Sequence, residues 1–173
     1  MEAHYHLGLI YEDLQQVDAA IAQYQRVVSQ DADGLDKLTW LRAHNNLGRL
    51  YILNEDYWTA WAPLERAFSA ITEDDLSDAH IQIEHYNVLK NLGWLWLGQG
   101  RWLEADEFLR QAIAQNPQRA AAHCLQAQVW EGLEQTQKAT AAWLSCLGGA
   151  RNIQPEEAAW AAMAREQLED AIE

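Results

Sequence analysis

His44-Asn45-Asn46-Leu47-Gly48-Arg49-Leu50-Tyr51 has a near-copy at the start of the chain, His4-Tyr5-His6-Leu7-Gly8-Leu9-Ile10-Tyr11, and this pair decides the fold. Both stretches continue alike: Ala20 and Tyr24 follow the first, Ala60 and Leu64 the second, forty residues on in each case. A third copy runs through Leu89, Leu92-Gly93 and Trp96, then Ala105, Leu109 and Pro117. A fourth keeps the frame through Ala127, Trp130, Ala139, Trp143 and Cys146. A segment recurring at such a period is one supersecondary unit, which cannot bury its apolar face alone and so shares a core with its neighbours.

The spacing says what the unit is. Leu7, Gly8 and Tyr11 fall three and four residues apart on one helix face, as Ala20, Tyr24 and Val27 do on the next. Gly8, Gly48, Gly93 and Ala127, opposed by Ala20, Ala60, Ala105 and Ala139, let the two helices of each pair approach closely while larger side chains fill the remaining space. An all-α chain of helical hairpins follows.

A large residue, Leu-Gly, an aromatic, then Ala and a second aromatic, with a closing Pro, resembles the tetratricopeptide-repeat (TPR) signature over nearly the whole chain. Two departures stand out: His takes the place of the usual first large residue in three copies, and the closing Pro occurs only as Pro117. The resemblance implies a single TPR domain over 1–173, a right-handed superhelical solenoid of helix-turn-helix repeats. Their approximate bounds are 1–34, 41–74, 86–119 and 120–152, with a C-terminal capping helix near 155–172. Pro155 with Glu156 and Glu157 suits a helix start, and Trp160, Met163, Ala164 and Leu168 are expected inward, Met163-Ala164 standing where Leu-Gly stands in the repeats. Two connections exceed a minimal repeat. One holds Asp31-Ala-Asp-Gly34, a turn signal, and the other Thr72-Glu-Asp-Asp75, read as a helix start; lengthened helices are expected at both.

Composition narrows the function. With 49% apolar and 10% aromatic residues the chain folds. A formal charge of -14, from 26 acidic and 12 basic residues, disfavours nucleic acid and anionic membrane. No apolar run approaches the roughly 20 residues of a membrane span, and no secretory signal is visible. Cys124 and Cys146 lack metal-type spacing and make no disulfide framework, so they are read as free thiols in a reducing cytoplasm. His4, His44 and His123 recur on separate helix pairs and cannot share an ion. No phosphate loop, nucleophile elbow or catalytic carboxylate pair is present, so neither metal nor cofactor is expected and the chain is not read as an enzyme.

The resemblance implies that the first helices of successive repeats line a concave groove for a protein or peptide. The candidate peptide-binding residues are Tyr5, Arg42, Asn45, Asn46, Arg49, Asn87, Lys90, Asn91, Trp94 and Gln128. Asn46 and Asn91 occupy the same place in consecutive repeats, and an amide donates to and accepts from an extended main chain at once. Trp94 suits an apolar anchor. The plainer reading pairs Arg42 and Lys90 with acids such as Glu84 as ordinary surface. Of the carboxylate-clamp positions of chaperone-tail binders only Asn46 matches, which excludes that subtype. The rival function is an assembly module: an uncapped first helix, or a patch of Trp40, Trp58 and Trp61, serves self-association or docking on a larger polypeptide. An uncapped start equally suits a fragment of a longer protein.

Overall fold

The computed structural model describes residues 2–29, 36–149 and 154–170, and the Asp31 to Gly34 turn lies outside these. The described residues hold nine α-helices and no β-strand: α1 (Glu2–Asp13), α2 (Val17–Val28), α3 (Lys37–Leu53), α4 (Tyr57–Ala70), α5 (Ala79–Gly98), α6 (Trp102–Gln115), α7 (Ala120–Gly132), α8 (Thr136–Gly148) and α9 (Pro155–Asp170). The fold is the all-helical hairpin array that the spacing dictates. Residues 1–91 and 92–173 form two compact units, and α5 is the helix in which one gives way to the other.

The hairpins share one turn. Gln15, Glu55, Gly100 and Glu134 hold the same frame position, and each has a left-handed backbone (φ 56°, 58°, 70° and 58°). The following N–H reaches back to the carbonyl of the aromatic residue that ends each motif: Gln16 to Tyr11, Asp56 to Tyr51, Arg101 to Trp96 and Gln135 to Trp130, at 2.8–2.9 Å. This is the 6→1 closure of a helix C-terminus. Only the third hairpin uses the glycine that this geometry favours.

Each seam is as tight as its small residues require. A Cβ placed on Gly8 would lie 2.5 Å from the Tyr24 ring, and one on Gly93 2.5 Å from Leu109 Cγ. Ala20, Ala60 and Ala105 are fully buried opposite them. In the first and fourth hairpins the seam also carries a hydrogen bond at one frame position: Tyr24 Oη donates to Glu12 Oε1, and Trp143 Nε1 to Glu131 Oε1, both at 2.7 Å. The second and third have Ile52 with Leu64 and Leu97 with Leu109 there, all buried.

The longer connections begin helices early. Asp36 caps α3, accepting from the Thr39 N–H at 2.9 Å. Asp78 rather than Thr72 starts α5, accepting from the N–H groups of His80 and Ile81. Thr72 instead donates to Asp75, which Lys37 pairs, ahead of a 3-10 turn over Asp74–Ser77. None of the described helices is long and apolar enough to cross a membrane.

Two expectations are corrected. Cys124 and Cys146 are not free thiols: they form a disulfide joining α7 to α8, with Cα atoms 4.8 Å apart and both residues buried. They hold the frame positions of Tyr5 and Val27, which pack in one core cluster in the first hairpin, so the repeat itself brings them together. The cysteine argument for a reducing compartment falls with them. In α9, Trp160, Ala161 and Ala164 are buried, as most of their frame counterparts are in the first helices of the repeats, but Met163 is 37% exposed, like its counterpart Leu7 at the other end of the array.

Candidate functional site

In the first unit, the expected binding residues lie on α1 (Tyr5), α3 and the leading part of α5. Helical geometry divides them. Tyr5, Asn45 and Lys90 share one frame position, three residues before the small residue of the seam, and therefore turn toward the hairpin interior; all three are buried. Arg42, Asn46 and Asn87 lie on the outward side of that stripe and are partly exposed.

Buried members of the set bond one another, although Asn91 Oδ1 has no hydrogen-bond partner. Asn91 Nδ2 donates to Asn45 Oδ1 at 2.8 Å, and Asn45 also bonds Glu84. Glu84 is buried, and desolvation raises its pKa against the opposing pull of Arg42, Asn87, Asn45 and Lys90. Arg42 Nε stands 3.8 Å from Glu84 Oε2, which also takes a bond from Asn87 Nδ2 at 3.5 Å. Arg49 is ion-paired with Glu12, whose other oxygen accepts the Tyr24 hydroxyl; Asn46 Nδ2 donates to that hydroxyl at 3.2 Å. Burial pushes the Tyr24 and Tyr5 phenols up, so both remain neutral donors at ordinary pH.

The three cations of the sequence reading thus meet two carboxylates, Glu12 and Glu84, and the plainer pairing with Glu84 is the one the geometry adopts for Arg42. Asn45, Arg49, Lys90 and Asn91 stand inside the network instead of lining an open surface, because an unpaired polar group in this interior would cost about 1–3 kcal/mol. Glu12 lies 37 residues from Arg49, which is why the sequence did not reveal it as a partner. Arg42, Asn46 and Asn87 are the part-exposed members, each held by a fixed partner.

In the second unit, Trp94 and Gln128 occupy the frame position of Arg49. Trp94 meets Trp160 of α9 edge to face, with centroids 4.9 Å apart, and Gln128 Nε2 donates to the Cys124 carbonyl at 3.3 Å. α9 packs on both α8 and α7. Among the described residues no group of three or more His, Cys, Asp or Glu is arranged to hold a metal. His4 bonds Gln23, His44 donates from Nδ1 to the Trp40 carbonyl, and His123 bonds the Pro117 carbonyl, which accounts for all three repeated histidines as packing groups. Of the tryptophans held for a second patch, Trp58 is 86% exposed on α4 beside the exposed Trp61, while Trp40 stacks on His44 at 3.8 Å.

Residues 2–33 match the family model described as tetratricopeptide repeat. Three solved structures are similar along the chain, each at 18% identity. MamA of MSR-1 gives a TM-score of 0.59 over 97% of this chain and 88% of that one. MamA of AMB-1 gives 0.60 over 98% and 91%. TTC0263, described as a thermophilic TPR protein of Thermus thermophilus, gives 0.62 over 96% and 82%. At this identity the likeness speaks for the fold. No curated protein matches the sequence.

Proposed function

We propose that the chain, whose fold is like that of tetratricopeptide-repeat proteins, is a protein-binding scaffold whose first unit holds an extended polypeptide segment against Arg42, Asn46 and Asn87. The fold supports a protein-interaction role in general, and the segment and its contacts are the proposal. One observation carries it: three polar side chains are part-exposed and already held in place, Arg42 and Asn87 by Glu84 and Asn46 by the Tyr24 hydroxyl. Side chains fixed before binding lose little conformational freedom on contact, which favours affinity. Each amide keeps capacity for a main-chain partner after its internal bond. The buried residues Tyr5, Asn45, Arg49, Lys90 and Asn91 serve this face from below. Glu12 and Glu84 stand against three cations, Arg42, Arg49 and Lys90, so a main-chain-presenting segment that carries an acidic group is as compatible with this face as an uncharged one.

The test is peptide-array binding by the Arg42→Ala, Asn46→Ala, Asn87→Ala triple variant. Binding should fall at least tenfold, with the melting temperature held within a few degrees. Unchanged binding refutes this site.

A second reading, self-association, rests on α1. Leu7 is 39% and Ile10 52% exposed, whereas their frame counterparts Leu47, Leu50, Leu92 and Leu95 are all buried. Light scattering across concentrations on wild type and Leu7→Asp, Ile10→Asp tests it. A concentration-dependent mass that the variant abolishes supports it, and a strict monomer ends it.

A further inference from the structure

α9 packs on α7 and α8 as α3 packs on α1 and α2, so the two groups of three helices can be compared position by position. Beside Trp143 the later group leaves an open cavity of about 550 Å³, bordered by Glu131, Glu134, Thr136, Thr140 and Gln167. In the earlier group the corresponding positions close on one another. Val17, Ile21 and Tyr51, the frame counterparts of Thr136, Thr140 and Gln167, pack against the cluster that holds Tyr24, Leu47 and Leu50. In α9 an exposed Glu166 stands where Leu50 is buried. The lining thus differs in kind as well as in size: two hydroxyls and an amide replace a valine, an isoleucine and a phenol ring, and Glu134 replaces Gln15. A polar lining of this sort suits a polar occupant, and the volume is many times the roughly 30 Å³ share of one water.

The earlier group also shows what a carboxylate in this place takes. Glu12 accepts the Tyr24 hydroxyl on Oε1 and the Arg49 guanidinium of α3 on Oε2. Glu131 and Trp143 repeat the first of these bonds at the same frame positions, Trp143 Nε1 donating to Glu131 Oε1 at 2.7 Å. The indole N–H fixes the carboxylate at the cavity wall and leaves Oε2 for another donor. Arg165 of α9 holds the frame position of Arg49, but it is exposed, and among the described residues it forms no ion pair. No Lys or Arg is among the described residues that line the cavity.

We propose that this cavity receives an arginine side chain of a partner polypeptide, its guanidinium bonding Glu131 as Arg49 bonds Glu12. Glu134 adds negative charge at the rim, and the oxygen atoms of Thr140 and Gln167 are available to the remaining N–H groups of the fork. A guanidinium suits the site better than an ammonium, because a planar fork meets a fixed carboxylate with more than one N–H. The site lies wholly in the second unit and shares no residue with the peptide-binding face of the first.

The test uses the full chain and the probe acetyl-Gly-Gly-Arg-Gly-Gly-amide, read by NMR at the Trp143 indole N–H. The probe should shift that signal saturably. The same peptide with citrulline for arginine, equal in shape but uncharged, should bind at least tenfold more weakly. Glu131→Gln, which keeps an acceptor for the indole, should weaken the arginine peptide to a similar degree while the indole signal of the free protein persists. The absence of a saturable shift, or equal binding of the arginine and citrulline peptides, overturns the proposal without recourse to any variant. Unaltered binding by Glu131→Gln overturns it as well.

Discussion

The same frame positions are furnished in opposite ways in the two units. In the first, Arg49 and Asn46 belong to a network of ion pairs and amides closed by Glu12, Glu84 and Asn91. In the second, the counterparts of these two residues are Trp94, which meets Trp160 of α9 edge to face, and Leu125, which is fully buried. The hairpin supplies only a direction for each side chain. Whether that direction becomes a polar lattice with a partly open surface or an apolar seat for a helix depends on residues that lie outside the hairpin. The polar solution fixes geometry at modest net stability, since buried charges recover in pairing roughly what desolvation costs them. The apolar one has no such directional constraint.

The sharpest way to separate the units is to reduce Cys124–Cys146. That bond closes a loop of sequence separation 22 in the second unit alone, so its loss should cost about 3 kcal/mol there. Denaturation followed with and without reductant, or in the Cys124→Ala, Cys146→Ala variant, should show the second unit melting earlier and α1 to α4 unmoved. Equal shifts in both would mean that the units do not unfold separately.

Acid should strike the first unit instead. Burial holds the His44 pKa down at about 4, below its usual 6.5, so the folded chain stays unprotonated where the unfolded chain takes up a proton. Stability contributed by this group is complete above about 6.5 and is lost as pH falls toward 4, on the order of 2–3 kcal/mol. His85, also lowered by burial, acts in the same direction. Between pH 7 and pH 4.5 the urea midpoint of the wild type should fall further than that of His44→Phe; equal falls would remove His44 from the account.

Asn91→Ala is the next step down. It leaves the buried Asn45 Oδ1 without its 2.8 Å donor, and about 1–2 kcal/mol of stability should go with it. Asn91→Ala combined with Asn45→Ala should recover part of this, because both members of the pair are then gone. Smallest of all is Trp58→Ala: at 86% exposure it should alter stability by less than about 0.5 kcal/mol, as thermal melts will show.

Much of the molecule was legible from spacing alone. The hairpins, their seams and their turns rest on contacts three, four or about a dozen residues apart, which a periodic pattern records directly. The disulfide was not read from cysteine spacing; Cys124 and Cys146 hold the frame positions of Tyr5 and Val27, which share one core cluster, and only comparing the hairpins position by position brings them together. The stripe at Tyr5, Asn45, Lys90 and Cys124 points inward because it lies one turn from the seam. Reading this side of the helices as an open wall placed Tyr5, Asn45, Arg49, Lys90 and Asn91 on a surface when all are buried.

The amino-acid sequence by itself determined an all-α array of repeated hairpins, the close approach at Gly8, Gly48 and Gly93, and a strongly acidic chain. Tertiary structure alone decided which charges are spent on one another and what Trp160 of α9 packs against. Arg49 finds Glu12 and Asn91 finds Asn45 across separations of 37 and 46 residues, and Trp160 meets Trp94. A local pattern fixes where a side chain points along its own helix; what waits there is supplied by distant chain, and no local pattern encodes it.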